Sequence, residues 1–457
     1  MTVHLPIIEQ QSSLRADGSH AAIHPADVHG KFARAREITF FLLIALYAAL
    51  PWIPVHGHPA VFLDIEHRSF YLFGAAFNAQ DIWMMVFVLT GAAFGLVYAT
   101  ALLGRAWCGW TCPQTVFLEG IFRRVERAIE GPRDKRLRRN AAGWTLDKVW
   151  RKALVQLFYV IFSLLIAHVF LSYFVSLRAM FAMMREAPTA HPEAFLVVAA
   201  LTAVFYLDFA WFREQFCVVV CPYGRLQSVL LDPHSLVVGY DARRGEPRGK
   251  ATAEGKGDCV DCGRCVVVCP TGIDIRNGLQ MDCIACTACI DACDDIMGRL
   301  GRPPGLIRYD SQDGLLGKPR RILRPRLALY TGLLLAGVVA ASLAFAGHDA
   351  FEANVLRVSG PPYVLEEGLV RNAFDLHLVN KRGDPTTFEI VPEPSPGAVF
   401  IVPLARVTLA SLGSVDAPIF VTVARADYHG EFAAHVAVSA NGAPARRLVL
   451  PFLGPSK

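Results

Sequence analysis

No cysteine precedes Cys108 and none follows Cys293, although the 457 residues contain twelve. Disulfide-stapled extracellular domains scatter their cysteines along the chain, so this distribution excludes that class. Charge is also sparse. Asp, Glu, Lys and Arg make up 19% of the residues and the formal net charge is only +5. Residues 1–37 are polar, end in "KFARARE" and lack a short apolar core with a small-residue cleavage site, so no cleavable signal peptide is expected. Basic residues are scarce in two loops. Residues 56–80 hold only Arg68, and residues 176–193 only Arg178 and Arg185.

What is abundant is apolar. Hydrophobic residues reach 53% and the mean hydropathy is +0.36, too high for an ordinary soluble chain of this size. Five apolar stretches lie near 38–55, 81–103, 152–175, 194–212 and 327–346. About 20 apolar residues cross the hydrocarbon core as a helix, so each reads as a membrane span. The first is interrupted by Pro51 and Pro54. "GIFRRVERAIEGPRDKRLRRN" and the stretch from Arg213 to Arg326 are rich in Lys and Arg. By the positive-inside rule they face the cytoplasm with the N-terminus, and everything after the fifth span faces outward. The basic loop reads as a topology determinant near anionic headgroups. It lacks the aromatic interleaving of a nucleic-acid site, so no nucleic-acid partner is expected.

Residues 350–457 change character. "AFDLHLVN" alternates apolar and polar residues, and "GAVFIVP", "PIFVTVARA" and "AAHVAVSA" are strand-like runs separated by turn residues, with Asn441-Gly442 a good turn pair. A small β-sandwich is expected.

The cysteines fall into four tight groups. "CVDCGRCVVVCP" and "CIACTACIDACD" are two C-x2-C-x2-C-x3-C runs. Three thiolates at two-residue gaps take corners of one cubane, and the displaced fourth reaches the other cluster. Cys259, Cys262, Cys265 and Cys293 are therefore assigned to a first [4Fe–4S] cluster, and Cys269, Cys283, Cys286 and Cys289 to a second. Zinc sites use two-plus-two spacing instead. Asp294 stands where a second proline would be expected, but that position supplies no ligand. Two clusters in one module imply electron transfer in single-electron steps.

The remaining four cysteines sit in "GRAWCGWTCPQ" and "REQFCVVVCPYGRLQ", just past the second and fourth spans. Each half repeats an Arg followed by C-x3-C-P. If the helices continue, each pair is i, i+4 and shares a face. Cys108, Cys112, Cys217 and Cys221 then lie at one membrane depth and form a candidate site for one soft metal, with Cu(I) best suited. Small buried cysteines in helix packing are the competing reading. Met180, Met183, Met184 and His191 cluster on the outward side, where a lipid-facing stretch is the simpler reading. His56, His58 and His67 read as solvated or hydrogen-bonded. His168 and Asp208 lie within spans and are candidates for quinone or proton traffic.

The motifs "WCGWTCPQTVFLEG", "FREQFCVVVCPYGRLQS", "GDCVDCGRCVVVCPTGIDIRNGLQMDCIACTACIDACDDIM" and "GLIRYDS" resemble the cytochrome c oxidase accessory protein family CcoG, also called FixG or RdxA. The resemblance runs from about the first span to the C-terminus. It implies a membrane α-helical protein of the bacterial inner membrane with about five transmembrane helices. These carry an inserted bacterial-type 2[4Fe–4S] ferredoxin-like domain and a C-terminal immunoglobulin-like β-sandwich.

The expected parts are a polar cytoplasmic tail (1–37), a four-helix transmembrane region with the C-x3-C-P pairs (38–221), the cytoplasmic ferredoxin-like domain (222–325), a fifth transmembrane helix (326–347) and a periplasmic β domain (348–457). The resemblance further implies reduction of Cu(II) to Cu(I) for assembly of cbb-type cytochrome c oxidase, with copper as substrate or bound ion. Expected partners are membrane lipid, oxidase assembly factors or a copper chaperone or transporter, and an electron donor that the sequence does not name. A homodimer stays open. The competing classes are a quinol-oxidising protein of the NapH or NosR type, which shares the C-x3-C-P pairs and the double cluster motif, and a non-catalytic assembly scaffold.

Overall fold

The computed structural model describes residues 23–455 except 56–57, 66–68, 79–81, 252–253, 347–350, 359, 367, 383, 412 and 442–444. His56, His67, Gly442 and most of the polar N-terminal tail lie outside the described residues. The chain divides into two compact units.

The first unit comprises residues 1–49, 87–171 and 181–340. Five helices, Lys31–Trp52, Trp83–Leu103, Leu146–Leu171, Pro192–Phe212 and Pro325–Phe345, are long and apolar enough to cross a membrane. Phe41, Leu89, Leu196 and Leu335 stand exposed on them, as an all-round apolar helix in lipid requires. Four of the five spans start earlier than the apolar stretches, the first and third by more than a turn. The first begins at Lys31, so "KFARARE" forms its opening turns. It ends where Pro51 enters a 3-10 turn at Leu50–Trp52, because proline cannot continue the amide ladder. The carboxylate of Asp291 accepts from the backbone N–H of Phe32 (3.3 Å) and Ala33 (2.6 Å), capping this helix from far along the chain.

The cysteine-rich segment is bracketed by two antiparallel strands, Leu236–Tyr240 and Ile307–Ser311, with Val238 opposite Tyr309. Between them each cysteine run carries a helix, Arg264–Val267 with Cys265 in the first and Ala288–Arg299 with Cys289 and Cys293 in the second. Val238, Ile273, Ile275, Ile290, Met297, Leu306 and Ile307 are buried around the cysteines.

The second unit comprises residues 50–86, 172–180 and 341–457. Its bulk is a two-sheet β-sandwich. One sheet runs Ala398–Ile401, Ser414–Ala424, Leu369–Asn380, Phe351–Arg357, with Val364–Glu366 pairing Leu369–Asn380. The other runs Arg406–Leu409, Thr386–Pro392, Phe432–Ala440, Arg446–Phe452. Alternate residues face inward: Phe374, Leu376 and Leu378 from one strand meet Ile419, Val421, Phe388 and Phe452 in a continuous core. A three-stranded sheet of Val61–Asp64, Ser69–Leu72 and Ala75–Asn78 precedes it in sequence.

Candidate metal centre

The two cysteine runs fold as a repeat. Around the second cysteine of each, the backbone turns left-handed: Asp261 and Gly263 flank Cys262, and Ala285 and Thr287 flank Cys286, with φ between 52° and 65°. Three of these four are not glycine, and such backbone in non-glycine residues is uncommon and marks functional loops. The alternation curls each run back on itself.

Electrostatic neighbours separate the eight thiols into two groups. Burial pushes Cys293 up to about 12, and Cys265, Cys259 and Cys262 add to the rise. Burial likewise raises Cys286 to about 12, with Cys269 and Cys283 contributing. Cys289, raised first by burial, feels Cys286, Cys283 and Cys269, and also Cys265 across the divide. So the fourth cysteine of each run lies beside the first three of the other. A cavity lies among Cys265, Cys269, Cys283, Cys286 and Cys289, walled by Ile273, Ile275 and Ile284. Every cysteine is free. An apolar pocket lined by these thiols and by no carboxylate fits a sulfur-ligated iron cluster. Among the described residues no three Cys, His, Asp or Glu side chains converge on a single ion.

The C-x3-C-P pairs also fold as a repeat, but not as continuous helix. Cys108 lies on the short helix Ala106–Trp110 and Cys217 on the π-helical turn Phe216–Val220. Cys112 and Cys221 are extended N-caps, and Pro113 and Pro222 open the next helices. The helix breaks because proline suits a first helical turn and forces extended backbone before it.

The four thiols are neighbours. Burial pushes Cys108 up to about 11, and Cys112 and Cys221 raise it further. Cys217 is raised by burial and then by Cys112, Cys108 and Cys221. Burial raises Cys112, opposed by the backbone N–H groups of Gln114 and Thr115. These four do not surround one point at single-ion distances either.

Several residues that sequence reasoning passed over hold the two thiol sets together. Gln227, fully buried, donates from Nε2 to the Cys108 sulfur at 3.1 Å. Arg105 donates to the carbonyls of Met281 and Cys283 on the second cysteine run and to Gly224 after Cys221 (3.0 Å). Trp110 donates to the Tyr309 hydroxyl (3.1 Å), which donates to the Ala285 carbonyl (3.0 Å). Cys108 packs on the apolar cluster containing Cys286, Ile284 and Ala288. A buried ion network supports the repeat. Arg123 binds Glu119, Glu214 (2.8 Å) and the carbonyl of Pro270, while Glu126 binds Arg213 (2.6 Å) and Arg136 (3.2 Å). The basic loop is thus partly interior. Its 119, 123, 126, 130 spacing of Glu and Arg, one helical face, was the sequence signal.

Other candidates stand apart. His168 bonds the Leu164 carbonyl of its own helix, His191 pairs with Glu186, and His58 stacks on Tyr71. Met180 is buried and Met184 exposed. Asp208 accepts from Gln114 at 3.1 Å and so joins the C-P-Q turn.

Residues 212–312 match the 4Fe-4S dicluster domain family, and residues 84–132 match a 4Fe-4S binding domain family. Residues 342–449 match the IG-like fold at the C-terminal of FixG. Protein RdxA of Cereibacter sphaeroides is 38% identical over 391 residues, 82% of this chain and 83% of its own. Nitrogen fixation protein FixG of Rhizobium meliloti is 34% identical over 424 residues, 83% of this chain and 80% of its own. Protein RdxB of Cereibacter sphaeroides is 33% identical over 401 residues, 83% of each. The chain belongs to the FixG/RdxA family. It is accordingly a membrane iron–sulfur electron-transfer protein with a ferredoxin-like segment and an immunoglobulin-like C-terminal domain. Within residues 84–132 only Cys108 and Cys112 are cysteines, so that segment alone cannot complete a four-thiolate cluster.

Proposed function

We propose that this FixG/RdxA family protein reduces Cu(II) to Cu(I) at the segment bearing Cys108, Cys112, Cys217 and Cys221, in support of assembly of cbb-type cytochrome c oxidase. One observation carries the reading: Cys108 packs in the same apolar cluster as Cys286, so a thiol set suited to Cu(I) adjoins a thiol quartet suited to an iron–sulfur cluster. When bound, the clusters supply single electrons. Cu(II) gains one electron and becomes Cu(I); the electron originates in a reduced one-electron carrier.

The chain's own groups prepare the thiol side. Burial keeps Cys108 protonated at neutral pH, so the copper ion displaces the proton as the sulfur binds. Cu(I) accepts two thiolates in a linear arrangement, so a pair suffices where three do not converge. Every tenfold preference for Cu(I) over Cu(II) is about 1.4 kcal/mol of added driving force for reduction. In this reading the thiols and quartets lie on the cytoplasmic side, and the sandwich, which lacks cysteine, faces outward and binds assembly partners or a copper carrier.

The match of residues 84–132 to a 4Fe-4S binding domain favours a second reading, in which the four C-x3-C-P thiols hold a cluster of their own. Iron content separates the two. Anaerobically prepared protein carries about eight iron atoms per chain in the first reading and about twelve in the second. The functional test is Cys108→Ser with Cys217→Ser, followed with a Cu(I)-specific chelator. The first reading expects retained iron and abolished Cu(II) reduction. Full activity in the double variant would place reduction elsewhere.

A further inference from the structure

Near the polar end of the first span is a cavity of about 80 Å³ lined by Arg36, Arg123, Arg124, Arg127 and Arg136. Only two carboxylates, Glu37 and Glu119, share that lining. The volume holds several waters or one tetrahedral oxyanion. Most of the arginines are paired. Arg123 binds Glu119 and Glu214, Arg136 binds Glu126, Arg127 binds Asp27 and Arg124 binds Glu37. Arg36 differs. It is only 9% exposed, its Nε donates to the Gly109 carbonyl at 3.1 Å, and its Nη2 is buried without a hydrogen-bond partner. Among the described residues no carboxylate forms a close ion pair with it, although its charge reaches Glu119 and the Cys286 thiol. The Nε atoms of Arg123 and Arg136 are likewise buried and unpartnered. A buried cation left so costs several kcal/mol as an order of magnitude.

We infer that this cavity binds a phosphate-ester oxyanion, and that the occupant is the headgroup of an anionic phospholipid. Arginine forks match phosphate oxygens, and convergent guanidinium groups are the usual protein answer to that charge. The setting selects the lipid. Phe40, on the first span, lines the same cavity and carries the Arg36 guanidinium on its ring at 5.0 Å. The cavity therefore joins an apolar span surface to a cationic floor at the depth where headgroup phosphates lie, as basic pockets beside transmembrane helices do. The local field agrees. His24, beside Arg136, is driven down to about 4, by burial first and by Arg136 next. The proposal is independent of how the C-x3-C-P thiols are read.

The test is native mass spectrometry of the full-length, cofactor-loaded protein, delipidated in detergent and titrated with phosphatidylglycerol, phosphatidylcholine and inorganic phosphate. One phosphatidylglycerol per chain should bind at least about tenfold more tightly than phosphatidylcholine, the scale of one charge-assisted hydrogen bond. Arg124→Gln with Arg127→Gln, two cavity-lining arginines whose ion pairs are with Glu37 and Asp27, should remove that preference while leaving the iron–sulfur absorbance unchanged. Should the double variant fail to fold, Arg124→Glu alone, on the exposed rim, should weaken phosphatidylglycerol several-fold. Failure of millimolar inorganic phosphate to displace the lipid assigns the site to the headgroup; displacement supports the oxyanion site but overturns the lipid as its occupant. Equal binding of phosphatidylglycerol by wild type and variants, or no preference over phosphatidylcholine, overturns the proposal.

Discussion

The carboxylate of Asp291 accepts the backbone N–H of Ala33 at 2.6 Å across 258 positions of sequence. Asp291 lies between Cys289 and Cys293 and is 4% exposed, so the second cysteine helix caps the first membrane helix. Removing the cap leaves two buried donors, the Phe32 and Ala33 amides, without their acceptor. Asp291→Ala should cost about 1–3 kcal/mol, seen as earlier thermal loss of the iron–sulfur absorbance. Asp291→Asn, which keeps one acceptor oxygen, should recover part of it. Equal stability of the alanine variant would show that the cap is not what joins these elements.

Gly109, beside Cys108, lies against the backbone of the second cysteine run. A Cβ there would lie 2.6 Å from the Ile284 carbonyl oxygen and 2.9 Å from that of Ala285. Both are backbone atoms and cannot swing aside. Gly109→Val should therefore push the Cys108 helix off the second cysteine run. Reoxidation of dithionite-reduced protein by Cu(II) should slow at least about tenfold, given how steeply rates depend on placement, while iron content is kept. Gly298→Ala, where an added Cβ meets nothing, is the control and should leave the rate unchanged. Unaltered Cu(II) kinetics in Gly109→Val would sink the proposed electron route.

The cysteine spacing, the five apolar runs and the alternation in Leu369–Asn380 were all legible, because each is a local pattern with one physical cause. What was not legible is what depends on distant partners. The break at Cys112 needed only its Pro113, yet its meaning emerges from Cys221 breaking the same way beside it. Arg105, Gln227 and Tyr309 look ordinary in sequence; only the fold brings them between Cys108 and Cys283–Cys286. Arg123 and Arg136 read as headgroup-facing charge, and burial became possible only because Glu214 and Glu126 arrive to neutralise them. Hydropathy also placed the start of the first span several residues late, because it cannot see the Asp291 cap.

His24 gives the structure a specific acid sensitivity. Burial, then Arg136, lowers its pKa from 6.5 to about 4, partly opposed by Glu126. Above pH 6.5 neither folded nor unfolded chain protonates it. As pH falls from 6.5 toward 4 the unfolded chain takes up a proton that the folded chain refuses, so stability declines across that window and this contribution levels off below it. Thermal melts between pH 7 and pH 4 should show the decline, and His24→Gln should flatten it. A parallel pH slope in the variant would assign the acid sensitivity to other groups.

The orientation of the chain rests on where Lys and Arg are found. The loop from Gly120 to Asn140 and the stretch from Arg213 to Arg326 are dense in them, whereas residues 176–193 hold only Arg178 and Arg185. Translocation disfavours basic loops close to a span, so the dense segments are expected on the cytoplasmic side. With five spans, the C-terminal sandwich is then expected on the opposite side. The sandwich has no cysteine to protect from oxidation, and this proposed orientation would keep all twelve thiols in the reducing compartment that their metal chemistry needs. An alkaline phosphatase reporter fused after Pro455 should be active and one fused after Arg248 silent. A fluorescent-protein reporter, which matures in the cytoplasm, should give the inverse at the same positions. Phosphatase activity at Arg248 would invert the assignment and put the cysteine quartets in an oxidising compartment, where free thiols and iron–sulfur ligation could not both persist.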